Sequence, residues 1–379
     1  MKRMSEEFNL EQYLGKGIET IVKGALNASL KNPKESIFIT RFSLSVKESR
    51  KKREKHEKSG NHIPPFLIAS ITEACNLNCK GCYANVNKTK WQDNTISNQT
   101  CNNANRKQSD QMSAKEWGYI FEQADELGIS FILLAGGEPL IRLEIIEVAT
   151  RHKNIMFPIF TNGTLINESY LKLFDKNRNL IPILSIEGNE DKTDLRRGDG
   201  VYNQLISVME QMKDKGIFYG ASITVTKENI KEVTDQSFLS ELYHRGCKVI
   251  FYVEYVPIDN KSKDLAPTDN EREYMEEKLK VLRNEYEDMI FISFPGDEKS
   301  SGGCLAAGRG FFHINPSGGT EPCPFSPYSD TNLKETSLFD ALKSPLFKKL
   351  SDNHILMQEH TGGCVLFEQE EVVRRLLNS

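Results

Sequence analysis

The sequence predicts an α/β chain: a parallel β-sheet, open or closed only part-way into a barrel, followed by a smaller C-terminal α+β region. Three observations lead there. Between residues 66 and 257, six short β-rich runs alternate with helical patterns. Several of those runs are apolar on both faces, as strands are when helices cover a parallel sheet. After residue 257 the pattern changes to a helix near 270–287, a Gly- and Pro-rich stretch at 295–330, and two further helical patterns.

Taken in order, residues 1–62 read as a helical, polar N-terminal region. Its run KESRKKREKHEK (47–58) sets seven Lys/Arg against three Glu and reads as a solvated helix or linker; docking of an acidic partner or RNA is the competing reading. Pro64 and Pro65 then stop any helix. The strand runs are FLIASIT (66–72), FILLAGG (131–137), IMFPIFTNG (155–163), IPILSIEG (181–188), YGASITVT (219–226) and KVIFYVEYVP (248–257). The helix at 113–128 opens on Ser113 and Glu116 at capping-box spacing and stops at Gly128, and the helix at 201–216 stops at Gly216. The segment 85–111 is rich in Asn, Gln, Ser and Thr and reads as a long insertion. The expected organisation is 1–62, 63–257 and 258–379. Folds of this class keep their sites at the carboxyl ends of the strands.

A length of 379 residues suits two or three domains. Hydrophobic residues make up 38% and charged residues 27%, a globular and not a disordered balance. A net charge of −4 gives neither nucleic acid nor a membrane surface a global attraction. No apolar run approaches the ~18 residues of a spanning helix. The opening residues carry no signal-peptide pattern, so the expected compartment is the cytoplasm. The eight cysteines fall at 75, 79, 82, 101, 247, 304, 323 and 364. In a reducing compartment, clustered thiols bind metal or do chemistry in preference to forming a disulfide scaffold. Cys101 and Cys247 stand apart, and Cys247, beside a strand, reads as a small buried hydrophobe.

Cys75, Cys79 and Cys82 follow the spacing C-x3-C-x2-C in ITEACNLNCKGCYAN, directly after the first strand. Iron–sulfur clusters take thiolates at such spacings. Three thiolates leave one iron without a protein ligand, and an open metal position is where an exogenous molecule binds and reacts. A zinc knot completed by a distant residue is the structural alternative.

In position and company this loop resembles the signature of the radical SAM superfamily. The resemblance implies an incomplete (β/α)6 TIM-type barrel in which the three thiolates hold a [4Fe–4S] cluster and S-adenosylmethionine (SAM) chelates the fourth iron. It implies one-electron cleavage of SAM to methionine and a 5′-deoxyadenosyl radical that abstracts hydrogen, with electrons from a reductant such as ferredoxin or flavodoxin. AGGEP (135–139) resembles the family's motif for the SAM ammonium group, implying roles for Gly136, Gly137 and Glu138. LSIEGNEDKTDLRRG (184–198) resembles the fourth-strand segment of the peptide-modifying branch. By that likeness Ser185 faces the ribose or carboxylate of SAM and Arg197 pairs with the carboxylate, whose geometry its fork matches. ASITVT (221–226) falls where the family's fifth strand lines the adenine pocket. There is one departure. The family often has an aromatic residue just before the last cysteine; that place is Gly81 here, and Tyr83 follows instead.

CLAAGRGFFHINPSGGTEPC (304–323) places Cys304, Gly318 and Cys323 at C-x13-G-x4-C. That resembles the opening of a SPASM extension or its shortened Twitch form, with Cys364 as the closing cysteine. The likeness implies an auxiliary [4Fe–4S] cluster on Cys304, Cys323 and Cys364, with His360 the first candidate for a fourth ligand. Counting back from Cys364, the middle cysteines of a SPASM domain correspond to His360, His354 and Ser351. A metal-free C-terminal domain with three buried thiols is the alternative.

The resemblance spans 66–257 and 304–367. It implies a SAM-cleaving enzyme that modifies a peptide or protein side chain, or matures a cofactor. Glu254 and Tyr255, at the end of the sixth strand, are candidates for exchanging a proton or hydrogen with substrate, with packing or surface roles as the alternative. Two further classes stay open: a radical SAM dehydrogenase or epimerase of a small metabolite, and a non-catalytic zinc or Fe–S binding module.

Overall fold

The structure is a computed structural model that describes residues 10–87, 111–257, 262–296, 302–357 and 364–379. All six expected runs are strands: β1 (Phe66–Ser70), β2 (Phe131–Ala135), β3 (Phe157–Thr161), β4 (Leu180–Ser185), β5 (Gly220–Val225) and β6 (Val249–Glu254). They lie side by side in chain order, every neighbouring pair parallel, in a sheet that curls into an incomplete barrel. The sheet then extends at both edges. β7 (Ile290–Phe294) adds in parallel to β6. β8 (His313–Ile314) adds in parallel to β1, and β9 (Thr320–Glu321) turns back against β8.

Register explains why the runs are apolar on both faces. Ile183, Gly220, Val249 and Ile290 share one face, and Leu184, Ala221, Ile250 and Phe291 share the other. The second face packs under the crossover helices, with Trp117, Phe121, Leu205 and Leu239 in the same core. One of those helices, Ala114–Leu127, carries the expected capping box of Ser113 and Glu116 and ends at Gly128 with φ +86°. Burial between two layers removes both faces from water at about 25 cal/mol per Å² of apolar area.

The first face is covered by the N-terminal helices, α1 (Leu10–Ser29) and α2 (Pro33–Lys58). Ile18, Val22, Ile39 and Phe42 share a core with Phe131, Ile181, Val249 and Ile290. The basic run lies in α2 and is not uniformly solvated. Arg53 is 1% exposed and donates to the Gly128 carbonyl at 2.7 Å, while Lys52 donates to the Asp125 carbonyl at 2.6 Å. These cations meet the carbonyl end of helix Ala114–Leu127, where the helix dipole favours positive charge. An amphipathic count could not show it, because the partner carbonyls lie far along the chain.

A third aromatic ring bridges β1 and β7. Phe311 stacks on Phe66 of β1 at 5.2 Å and meets Phe294 of β7 edge-on at 5.6 Å. Among the described residues no helix is long and apolar enough to cross a membrane.

Candidate functional site

The cysteine loop leaves β1 at Ser70, and residues 83–87 beyond it are helical. The AGGEP turn holds it from the side. Gly137 N donates to Thr72 O at 2.7 Å and Glu138 N donates to Ala74 O at 2.8 Å. A Cβ on Gly136 would stand 2.4 Å from Thr72 O, and one on Gly137 2.1 Å from Ala74 O. The close approach that these glycines permit is therefore to the backbone leading into Cys75. Glu138 is 1% exposed, and its carboxylate accepts from Leu140 N, Thr161 Oγ1 and Asn162 N at 2.7–3.0 Å. Burial raises its pKa against those three donors. Its side chain ties the end of β2 to the end of β3.

Asn162 was not singled out in the sequence, yet its amide reaches Asn76 Oδ1 at 2.9 Å and Cys75 Sγ at 4.0 Å. Glu187 was also missed. It is 2% exposed just beyond β4, and Arg197 Nη2 donates to its Oε1, which lies 3.4 Å from Arg196 Nε. Its Oε2 accepts from Thr224 N at 3.0 Å. Both arginines sit at the end of the helix Glu190–Arg197, whose Arg196 carbonyl accepts from Lys80 N at 2.8 Å inside the cysteine loop. One buried carboxylate thus gathers two guanidinium groups beside the thiols. Burial raises the Cys79 thiol pKa while Arg197 pulls it down, and Cys82 and Cys75 raise it further. Burial works against the Arg197 charge, but Glu187 and the thiols Cys79 and Cys82 keep it firmly protonated. Nε of Arg196 and Nε of Arg197 are buried without a hydrogen-bond partner among the described residues.

Ser185 ends β4 in register with Ser222. Glu254 accepts from Arg272 Nε and Nη2 at 2.9 and 2.7 Å, in an ion pair to the helix Asp269–Glu285. Its neighbour Tyr255 turns to the cysteine loop, beside Gly81 and Arg196. A cavity of about 330 Å³ opens there, with Lys80, Gly81, Glu187, Arg196, Thr224 and Tyr255 in its wall.

The second cysteine set lies close by. Cys323 is buried, and Cys304 and Cys364 pack against the same apolar cluster, which includes Phe311, Tyr328 and Val365. The helical turn after Cys82 docks on it: Tyr83 meets Phe325 edge-on at 5.3 Å, and Asn87 Nδ2 donates to Pro324 O at 2.8 Å. Burial, with Cys82, Cys323 and Glu321 nearby, pushes the Tyr83 hydroxyl well above its usual range. A buried chain of hydrogen bonds links the same regions. His313 Nε2 pairs with Ser70 Oγ at 2.8 Å, and His313 Nδ1 with Glu321 Oε2 at 2.7 Å. His354 and Ser351 are exposed, while His360 and Cys101 lie outside the described residues. Cys247 is fully buried, and its thiol is pushed up to about 12 by that burial.

Among the described residues, no three His, Cys, Asp or Glu side chains already form a closed metal-holding group. The donor chemistry nevertheless suits an iron–sulfur cluster: soft thiols on an irregular loop, with the half-buried cations Arg196 and Arg197 beside them to balance thiolate charge.

Comparison with known proteins places the chain. The Radical SAM superfamily matches residues 69–235. The AdoMet-dependent heme synthase of Methanosarcina barkeri (strain Fusaro / DSM 804) is 23% identical over 335 residues, covering 81% of this chain and 90% of that protein. The antilisterial bacteriocin subtilosin biosynthesis protein AlbA of Bacillus subtilis (strain 168) is 26% identical over 333 residues, covering 81% and 68%. The crystal structure of Streptococcus suis SuiB bound to precursor peptide SuiA shares the fold, with a TM-score of 0.62, 19% identity, and 93% and 84% of the two chains covered.

Proposed function

Because the chain belongs to the radical SAM superfamily, we propose that it cleaves SAM reductively and uses the radical to modify a side chain of a peptide or protein. The observation that carries this reading is the convergence on one cysteine loop of the Gly136–Gly137 turn and the Glu187–Arg196–Arg197 cluster. Cys75, Cys79 and Cys82 would hold the cluster. A [4Fe–4S] cluster held there would supply the electron for reductive cleavage of SAM. The backbone at Gly136 and Gly137 would receive the ammonium group, with Glu138 fixing that turn from beneath. Ser185 and Arg197 would face the ribose and carboxylate. The C-terminal region, docked on the helical turn after Cys82 through Phe325 and Pro324, would help keep water from the reacting atoms.

The peptide substrate is supported by the likeness to AlbA, and by a fold shared with a structure that holds a precursor peptide. A cofactor precursor is the second reading, favoured by the chain's span over 90% of the heme synthase relative. An auxiliary cluster on Cys304, Cys323 and Cys364, with His360 as the first candidate for a fourth ligand, is supported by the one apolar cluster that gathers the three cysteines.

The test is anaerobic reconstitution followed by iron counting and SAM cleavage with a strong reductant. About eight irons are expected for two cubanes and about four for one. A Cys75→Ala/Cys79→Ala/Cys82→Ala variant should lose about four irons and all release of 5′-deoxyadenosine. Colourless protein holding only zinc would overturn the reading. Mass spectrometry of a peptide encoded beside the gene, against a metalloporphyrin, separates the two substrate classes.

A further inference from the structure

Gly81, just before the last cysteine of the loop, offers no side chain to a ligand. It has φ +68°, a conformation that favours glycine. A Cβ placed on it would lie 2.8 Å from Tyr255 Oη, 3.0 Å from Tyr255 Cε2 and 3.3 Å from Tyr255 Cζ. The Tyr255 ring therefore fills the space that a side chain at 81 would enter, from the far end of the sheet. Backbone geometry holds it there, since Tyr255 N donates to Val225 O at 2.9 Å and prolongs the β5–β6 ladder by one bond.

Two further observations point from this ring to a ligand. Tyr255 is only 3% exposed, yet its hydroxyl has no hydrogen-bond partner among the described residues. A hydroxyl left unpaired in a buried place carries a penalty that a bound group relieves. The ring also borders the cavity of about 330 Å³, whose wall includes Lys80, Thr224 and Arg196. The Arg196 guanidinium carbon stands 5.8 Å from the ring centre. A flat aromatic surface, a free hydroxyl and basic and hydroxyl side chains around a cavity of this size suit a planar base on a hydroxylated sugar. They suit neither an apolar ligand nor the amino-acid end of SAM alone.

We infer that Tyr255 supplies the aromatic contact to the nucleoside end of SAM that Gly81 cannot make, with its ring against the base and its hydroxyl bonded to the nucleoside. The inference rests on the reading of this site as a SAM site. It makes Tyr255 a binding residue and leaves Glu254 in its ion pair with Arg272.

The test is isothermal titration of the reconstituted full chain with SAM and, separately, with methionine. In Tyr255→Leu, SAM binding should weaken about tenfold, equal to about 1.4 kcal/mol, within the range of base–aromatic stacking. Methionine binding should not change. Tyr255→Phe, which keeps the ring, should bind SAM about threefold more weakly than wild type, the smaller loss expected for one hydroxyl contact. Should Tyr255→Leu fail to load iron, the Phe variant decides: unchanged SAM binding there overturns the hydroxyl contact. Equal weakening of SAM and methionine in Tyr255→Leu, or no weakening of either, overturns the inference with the SAM site intact. Wild-type protein that loads iron and binds methionine but not SAM overturns the functional reading as well.

Discussion

Replacing Glu187 with Gln should destabilise the chain more than any exposed charge change. The carboxylate is 2% exposed, receives Arg197, lies 3.4 Å from Arg196 Nε, and accepts from Thr224 N at 3.0 Å. Glutamine keeps the shape and loses the charge. It also presents an amide donor either to a guanidinium or to the Thr224 N–H, so one donor must stay unpaired. Breaking a buried ion pair from one side costs about 3–5 kcal/mol, because the remaining charge has no counter-ion. Two arginines share this one carboxylate, so the upper half of that range is expected. Chemical denaturation of the metal-free chain measures it as a shift in midpoint at constant slope. A ligand carboxylate that reaches Arg197 would relieve part of the penalty. S-adenosylhomocysteine should then stabilise Glu187→Gln more than it stabilises wild type. Adding Arg197→Gln to Glu187→Gln should recover part of the loss, since one uncompensated charge is removed. A loss below about 1 kcal/mol, the level of an exposed pair, would refute the assignment of this cluster as a buried charge centre.

Gly137→Ala would set a methyl group 2.1 Å from the Ala74 carbonyl, so the turn must part from the cysteine loop. An overpacking cost of about 1–3 kcal/mol and a fall in iron retained after reconstitution are expected, read by denaturation and iron assay. Burial lifts Glu35 from 4.5 to about 7, opposed by Arg178 at 2.9 Å. The folded state thus holds a proton that the unfolded state gives up, and the stability it contributes is complete below about pH 4.5 and lost as pH rises through about 7. Glu35→Gln should flatten that decline between pH 5 and 7; an unchanged pH profile would contradict it. Cys247, at about 12 and fully buried, should resist a thiol reagent at pH 8 in the folded chain and react once denatured, as mass spectrometry would show.

The barrel was legible because its strands carry a strong local signal: runs such as FLIAS and FILLA are apolar on both faces, and helices with caps lie between them. β7 has the same quality but followed a change of composition, and read as part of another region. β8 and β9 carried no signal. Each is two residues long, and His313, Thr320 and Glu321 are polar residues buried by partners far along the chain. The cysteine spacings stood out in the sequence as candidate ligand sets. What lies between the two sets did not, since the contacts of Tyr83 with Phe325 and of Ser70 with His313 join segments more than two hundred residues apart.

The glycines and the acidic residues show where local reading stops. Gly136 and Gly137 stood out only through their motif, and the structure shows their backbone packed on the residues that lead into Cys75. Glu138 sat in a motif, but its carboxylate bonds to β3 and not outward. Glu187 sat in none. Its role arises only because helix Glu190–Arg197 folds two arginines back onto the end of β4, next to a loop that began at β1. Gly81 is the sharpest instance. Within its own segment it reads as a missing aromatic; in three dimensions an aromatic ring, that of Tyr255 just after β6, stands beside it. By the inference drawn above, a contact that a motif assigns to one position is met from beyond the end of another strand. The site is then defined by the side chain that fills the space, and a substitution at 255 tests it more directly than one at 81, where the backbone itself demands glycine.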